Sequence, residues 1–160
     1  MEYFSSGALS RGRNSRYTLS MRYICDAPGG RTWFALDTEA EAEAEASLMQ
    51  HAVDKYFHRA LEMARDAYVP RPGLAAFERD IGLKDHLKKS APLFLTLRDG
   101  EGHGLATAML PPLGRNQAHF RSIIVGPGNA DPYEAHADAI AVLAQHFGIE
   151  LKREACYPYG

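Results

Sequence analysis

The stretch PLFLTLRDGEGHGLATAML, residues 92–110, sets the frame for the whole chain. Leu93, Leu95 and Leu97 recur at period two, the spacing that places side chains on one face of a β-strand. Asp99-Gly100-Glu101-Gly102 follows as the tightest turn signal in the sequence, and residues 105–110 run back from it. Two strands joined by so short a turn are antiparallel neighbours.

The same period-two alternation marks further strands on either side. Tyr17, Leu19, Met21, Tyr23 and Cys25 alternate with Thr18, Ser20 and Arg22, which predicts a strand with one buried face. Asp26-Ala27-Pro28-Gly29-Gly30 turns the chain, because its glycines accept the positive φ of a hairpin turn. Thr32, Phe34 and Leu36 resume the alternation. Residues 120–125 add a strand after 105–110, and residues 149–157 a last one.

Helical segments separate these strands. Residues 39–68 contain neither Gly nor Pro, and Met49, Val53, Tyr56, Phe57, Ala60, Leu61, Ala64 and Tyr68 form an apolar stripe at helical spacing. Asp37 or Thr38 caps the start and Pro70 stops the end, which predicts one helix over 38–68. Such a helix is about 45 Å long at ~1.5 Å per residue, longer than the domain is wide. Its free end invites a partner subunit, so a homodimer through the long helix is expected. A short helix is expected over 84–89. The last helix is marked more sharply: Asp131-Pro132-Tyr133-Glu134 supplies a cap, a proline at the first helical position and an early acid, and Gly148 ends it.

The predicted fold class is α+β. It is a two-layer arrangement with a mainly antiparallel sheet, in the order ββα–linker–βββαβ, with one long and one shorter amphipathic helix on one face. A length of 160 residues and a 46% hydrophobic composition suit one domain, read as 17–160 behind a flexible basic arm over 1–16. No apolar run reaches the ~20 residues of a transmembrane helix, and no apolar region follows the first basic residues as in a secretory signal. A cytoplasmic protein is expected, with Cys25 and Cys156 as free thiols; a disulfide between the terminal strands stays open.

Familiar catalytic patterns are missing. The seven histidines show no HxxxH or HExxH spacing, and His51 and His58 lie too far apart along a helix to share an ion. Val125-Gly126-Pro127-Gly128-Asn129 before a helix has the outline of an anion cradle. It lacks the Lys-Ser or Lys-Thr of a Walker loop, and Asp131 and Glu134 occupy the place of an anion. No Gly-x-Ser-x-Gly is present. No catalytic residue, metal site or cofactor is therefore assigned.

Charge layout is the unusual feature. Asp37, Glu39, Glu41, Glu43, Glu45 and Asp54 include six acids with no Lys or Arg between them. On a helix, Glu39/Glu43 and Glu41/Glu45 are like-charge pairs at i,i+4. These four glutamates are the expected contact surface for a protein complex with a basic face; Ala/Glu repeats also raise helix propensity without any partner. Arg11, Arg13 and Arg16, with Arg22, form an acid-free segment suited to phosphate contacts. Direct nucleic-acid binding by that arm is the weaker expectation, because the net charge is −2.

A small chain without catalytic motif, carrying Glu39-Ala40-Glu41-Ala42-Glu43-Ala44-Glu45, resembles the anti-CRISPR inhibitor proteins of mobile genetic elements. The resemblance is one of overall profile. It implies a non-catalytic inhibitor that blocks a nucleic-acid-processing, CRISPR effector-like complex through an acidic helix. A small enzyme with a dispersed site and a nucleic-acid binder remain the alternatives.

Overall fold

In a computed structural model, which describes residues 21–112 and 121–159, the 92–110 stretch is the expected hairpin. Its strands span Leu93–Arg98 and Gly104–Leu110 and pair antiparallel from Leu93 opposite Leu110 to Arg98 opposite Gly104. The Asp99 carboxylate closes the turn by accepting the amides of Glu101 and His103, each at 2.9 Å. In chain order the elements are β1 (Arg22–Ala27), β2 (Arg31–Ala35), α1 (Glu39–Met49), α2 (Val53–Asp66), α3 (Ala76–Ser90), β3 (Leu93–Arg98), β4 (Gly104–Leu110), β5 (Ile123–Val125) and α4 (Tyr133–Phe147). The five strands form one antiparallel sheet in the order β1-β2-β3-β4-β5. The α+β class and the antiparallel sheet are as the sequence predicts. The arm over 1–16, with Arg11, Arg13 and Arg16, lies outside the described residues, as does 17–20.

The layering differs from expectation. Leu95 and Leu97 of β3, with Trp33, Ala106, Ala108 and Ile124, pack against Ala139, Ile140 and Leu143 of α4. Phe94 belongs to a second core with Leu36, Ala42, Val53 and Phe57, beneath α1 and α2. Helices therefore cover both faces, in three layers rather than two. Residues 94–98 of β3 are all buried, Thr96 and Arg98 included, which a one-sided sheet would have left partly wet.

The single helix predicted over 38–68 is two helices. Thr38 caps α1: its hydroxyl accepts the Glu41 amide at 3.1 Å, and the Glu41 carboxylate accepts the amides of Asp37 and Thr38. The chain leaves α1 through Gln50, which takes the left-handed conformation (φ 57°), with the His51 amide donating to the Ala46 carbonyl at 3.2 Å. α2 then folds back alongside α1. No Gly or Pro marks this break, so periodicity ran through it. The overhanging rod disappears, and with it the premise for a dimer through a long helix.

Other differences are local. A bulge between Tyr23 and Cys25 breaks the alternation of β1, and Tyr23 is 57% exposed instead of facing the core. The helix expected over 84–89 spans Ala76–Ser90. Instead of a strand over 149–157, a short 3₁₀ turn at Arg153–Ala155 precedes one parallel bridge between Tyr157 and Ile123. α4 keeps its stop signal, Gly148 at φ 67°, but its start shifts by one residue: Pro132 is the cap residue rather than the first helical one, no side chain caps the helix, and Asp131 instead accepts the Tyr133 amide at 2.9 Å in the turn before it. Cys25 and Cys156 are both free thiols.

Candidate functional site

The α1 stripe that faces the sheet is Ala42, Glu45 and Met49, all buried, at i, i+3 and i+7. A glutamate at its centre must be neutralised, and the second face of the sheet supplies the means. Arg98, at the end of β3, donates from Nη2 to Glu45 Oε1 at 2.6 Å and from Nε to Thr96 Oγ1 at 3.0 Å. Thr107, on β4, donates its hydroxyl to Glu45 Oε2. The side chains of Glu45 and Arg98 are 0% and 3% exposed, so this is a fully desolvated ion pair. Two buried charges cost several kcal/mol each to desolvate, and a well-packed apolar pair in their place is often as stable.

The network continues outward through His51. His51, in the α1–α2 connection, places Nε2 2.9 Å from Thr107 Oγ1. Thr107 spends its proton on Glu45, so it accepts from His51 and the imidazole carries its proton on Nε2. Nδ1 is then the acceptor, with only a long 3.4 Å contact from the Val53 amide. Burial lowers the His51 pKa from its ordinary value, against an opposing pull from the Glu45 carboxylate. The ring is thus a neutral, tautomer-fixed acceptor near pH 7. An Arg98–Glu45–Thr107–His51 chain runs from the interior to the α1–α2 connection.

His51 lines a cavity of about 320 Å³ between the α1–α2 connection and the β4–β5 edge. Its wall combines Val53, Met109 and Ile123 with the polar groups of His51, Thr107 and Asn129. A mostly apolar hollow with a few convergent polar groups is the usual form of a small-molecule site.

The residues singled out from sequence fall in different places. Glu39 and Glu43 are exposed on α1, Glu39 lying 3.4 Å from His58. Glu41 is held in the helix cap. Glu45 is a correction: it is sealed in the core against Arg98 and has no surface to offer a partner. Arg22, for its part, makes a two-pronged contact with Asp37 at 2.9 and 3.1 Å. The turn after β5 is no anion cradle, since the amides of Gly126, Asn129 and Ala130 are spent on carbonyls within it. Asp131 beyond it pairs with Arg153 at 2.7 Å.

No protein-family model, curated protein or solved structure matches this chain. Among the described residues, no group of three or more His, Cys, Asp or Glu side chains is placed to hold a metal ion, and no helix is long and apolar enough to cross a membrane.

The sequence alone assigns no role to His51, Thr107 or Arg98, although part of the signal is there. Extending the stripe of 49 and 53 backwards by helical steps reaches Glu45 and Ala42. Thr96, Arg98 and Thr107 are the polar residues opposite the leucine face of the hairpin. Their meeting depends on the break at Gln50, which no local rule announces.

Proposed function

We propose that this domain binds a small, largely apolar molecule in the His51 pocket, with a hydroxyl or amide N–H of the ligand donating to His51 Nδ1. The observation that carries this reading is the buried Arg98–Glu45–Thr107 chain. It fixes the tautomer and orientation of an imidazole that lines a cavity. Networks that combine desolvation with a specific charge partner concentrate at functional sites. Val53, Met109 and Ile123 supply contact area, and Asn129 a second polar point.

The test is a library of neutral alcohols and amides, followed through backbone amide shifts in NMR. Hits are expected to perturb Val53, Met109 and Asn129 together. They should be lost in Met109→Trp, which fills the cavity, and weakened about tenfold in His51→Phe, which removes the acceptor. Hits that bind these variants as well as wild type, or no hits at all, would overturn the proposal.

The inhibitor reading keeps two exposed acids, Glu39 and Glu43, beside Asp54 and Glu62 around one shallow hollow that Lys55, His58 and Arg59 also line. Its own test is charge reversal of Glu39 and Glu43, with capture of a CRISPR effector complex as the readout. Unchanged or absent capture removes it.

A further inference from the structure

A second cavity lies on the far side of α2, where α2, α3 and the start of β3 converge. Its volume is about 430 Å³, and its floor is apolar, built from Phe57, Leu61, Leu87, Leu93 and Phe94. Arg22, Arg65, Lys84 and Lys88 line the same cavity, with Asp37 as the one acid among the described residues. Asp37 is already engaged by Arg22. Among the described residues, no carboxylate lies within ion-pair distance of Arg65, Lys84 or Lys88.

This concentration of cations is not a by-product of composition, since the chain as a whole carries a net charge of −2. Lys84 and Lys88 stand at i,i+4 on α3, a like-charge pair that mildly destabilises a helix. An anion seated between them removes that cost. Arg65 and Lys88 sit in the last turns of α2 and α3. Helix C-termini carry partial negative charge, which these two cations offset and which disfavours an anion in proportion to its charge, a monocarboxylate least. The lining offers an apolar floor for a chain and point charges for a single carboxylate. Long Lys and Arg stems also cover apolar surface while their charged ends meet the headgroup.

We propose that this groove binds a single-chain amphiphilic monocarboxylate, a fatty acid, with its alkyl chain on Phe57, Leu61 and Leu87 and its carboxylate among Arg65, Lys84 and Lys88. Among the described residues the two cavities share only Phe94 in their linings, and the proposal does not rest on the His51 reading.

The experiment is calorimetric titration of the full chain with dodecanoate, kept below its aggregation concentration. Dodecanol serves as the uncharged control. Wild type is expected to bind dodecanoate at least tenfold more tightly than dodecanol, with affinity falling as salt is added. The triple variant Arg65→Gln, Lys84→Gln, Lys88→Gln changes only exposed side chains, and circular dichroism checks its fold. It should lose tenfold or more in dodecanoate affinity while dodecanol binding stays the same. Met109→Trp, which fills the other cavity, should bind dodecanoate as wild type does. Equal affinity of wild type and triple variant, equal affinity for acid and alcohol, no binding of dodecanoate, or loss of binding in Met109→Trp would each overturn the proposal.

Discussion

Glu45 lies buried beneath α1, held by Arg98 and Thr107. Removing its carboxylate in Glu45→Ala leaves Arg98 buried and uncompensated, and the expected loss is about 3–5 kcal/mol. The double variant Glu45→Leu, Arg98→Met removes both charges and should recover most of that loss in urea denaturation. A double variant as unstable as Glu45→Ala would mean that the pair's geometry, not charge compensation, holds α1 on the sheet. Histidine titration belongs to the same scale. Burial lowers the pKa of His51, and burial with the nearby Arg31 guanidinium lowers that of His136, whose Nδ1 lies 3.0 Å from Arg31 Nη1. For a base whose folded pKa is depressed, the unfolded chain binds more protons between the folded value and about 6.5. Stability contributed by the two neutral rings is complete above about pH 6.5 and declines as pH falls below it. Chemical denaturation at pH 7.5 and pH 5.5 measures the loss, which should shrink in the His51→Gln, His136→Gln variant.

At the scale of elements, the α1–α2 break decides where the site forms. Gln50 adopts a left-handed conformation that costs an L-residue roughly 1–2 kcal/mol and glycine almost nothing. Gln50→Gly should therefore stabilise the protein by up to about 1 kcal/mol, less the bond from Gln50 Nε2 to the Ser47 carbonyl, and raise Tm by a few degrees. A fall in Tm would mean that the side chain matters more than the backbone at that turn. Gly104 is the complementary case. A methyl group there would collide with Met49 Sδ and crowd Leu48, so Gly104→Ala should push α1 off β4 and cost about 1–3 kcal/mol.

These elements also show what a sequence can and cannot disclose. The 92–110 hairpin and α4 were legible because their turn and cap residues act locally: Asp99 bonds amides two and four residues on, and Asp131 bonds Tyr133. The Gln50 break was hidden, since a left-handed glutamine has no compositional signature and the apolar stripe continues on both sides of it. The buried role of Glu45 was hidden for a related reason. An Ala/Glu repeat looks the same in solvent and under a sheet, and the distinction is made by Arg98 and Thr107, more than fifty residues away in sequence.

On the scale of the whole molecule, two cores share one sheet, and β3 contributes to both: Leu95 and Leu97 to one, Phe94 to the other. Loss of either core strips a face from the same central strand, so the sheet, α1, α2 and α4 should unfold together. Trp33 and Cys156, both 0% exposed, report on this cooperative unit from the α4 side. Trp33 donates its indole N–H to the Ala139 carbonyl at 2.9 Å, so its fluorescence follows α4 docking directly. α3 is different in kind. None of its residues is buried, and Phe77 and Ile81 stand open to solvent. A helix with so little apolar contact opens at low free energy, independently of the core. Native-state hydrogen exchange should therefore show α3 amides exchanging well before those of β3 and α4. Trp33 fluorescence and Cys156 thiol labelling, by contrast, should follow a single urea transition. Exchange of α3 at the global rate would mean that it is held by more than its visible contacts, and a groove occupied by a bound amphiphile between α2 and α3 would have that effect.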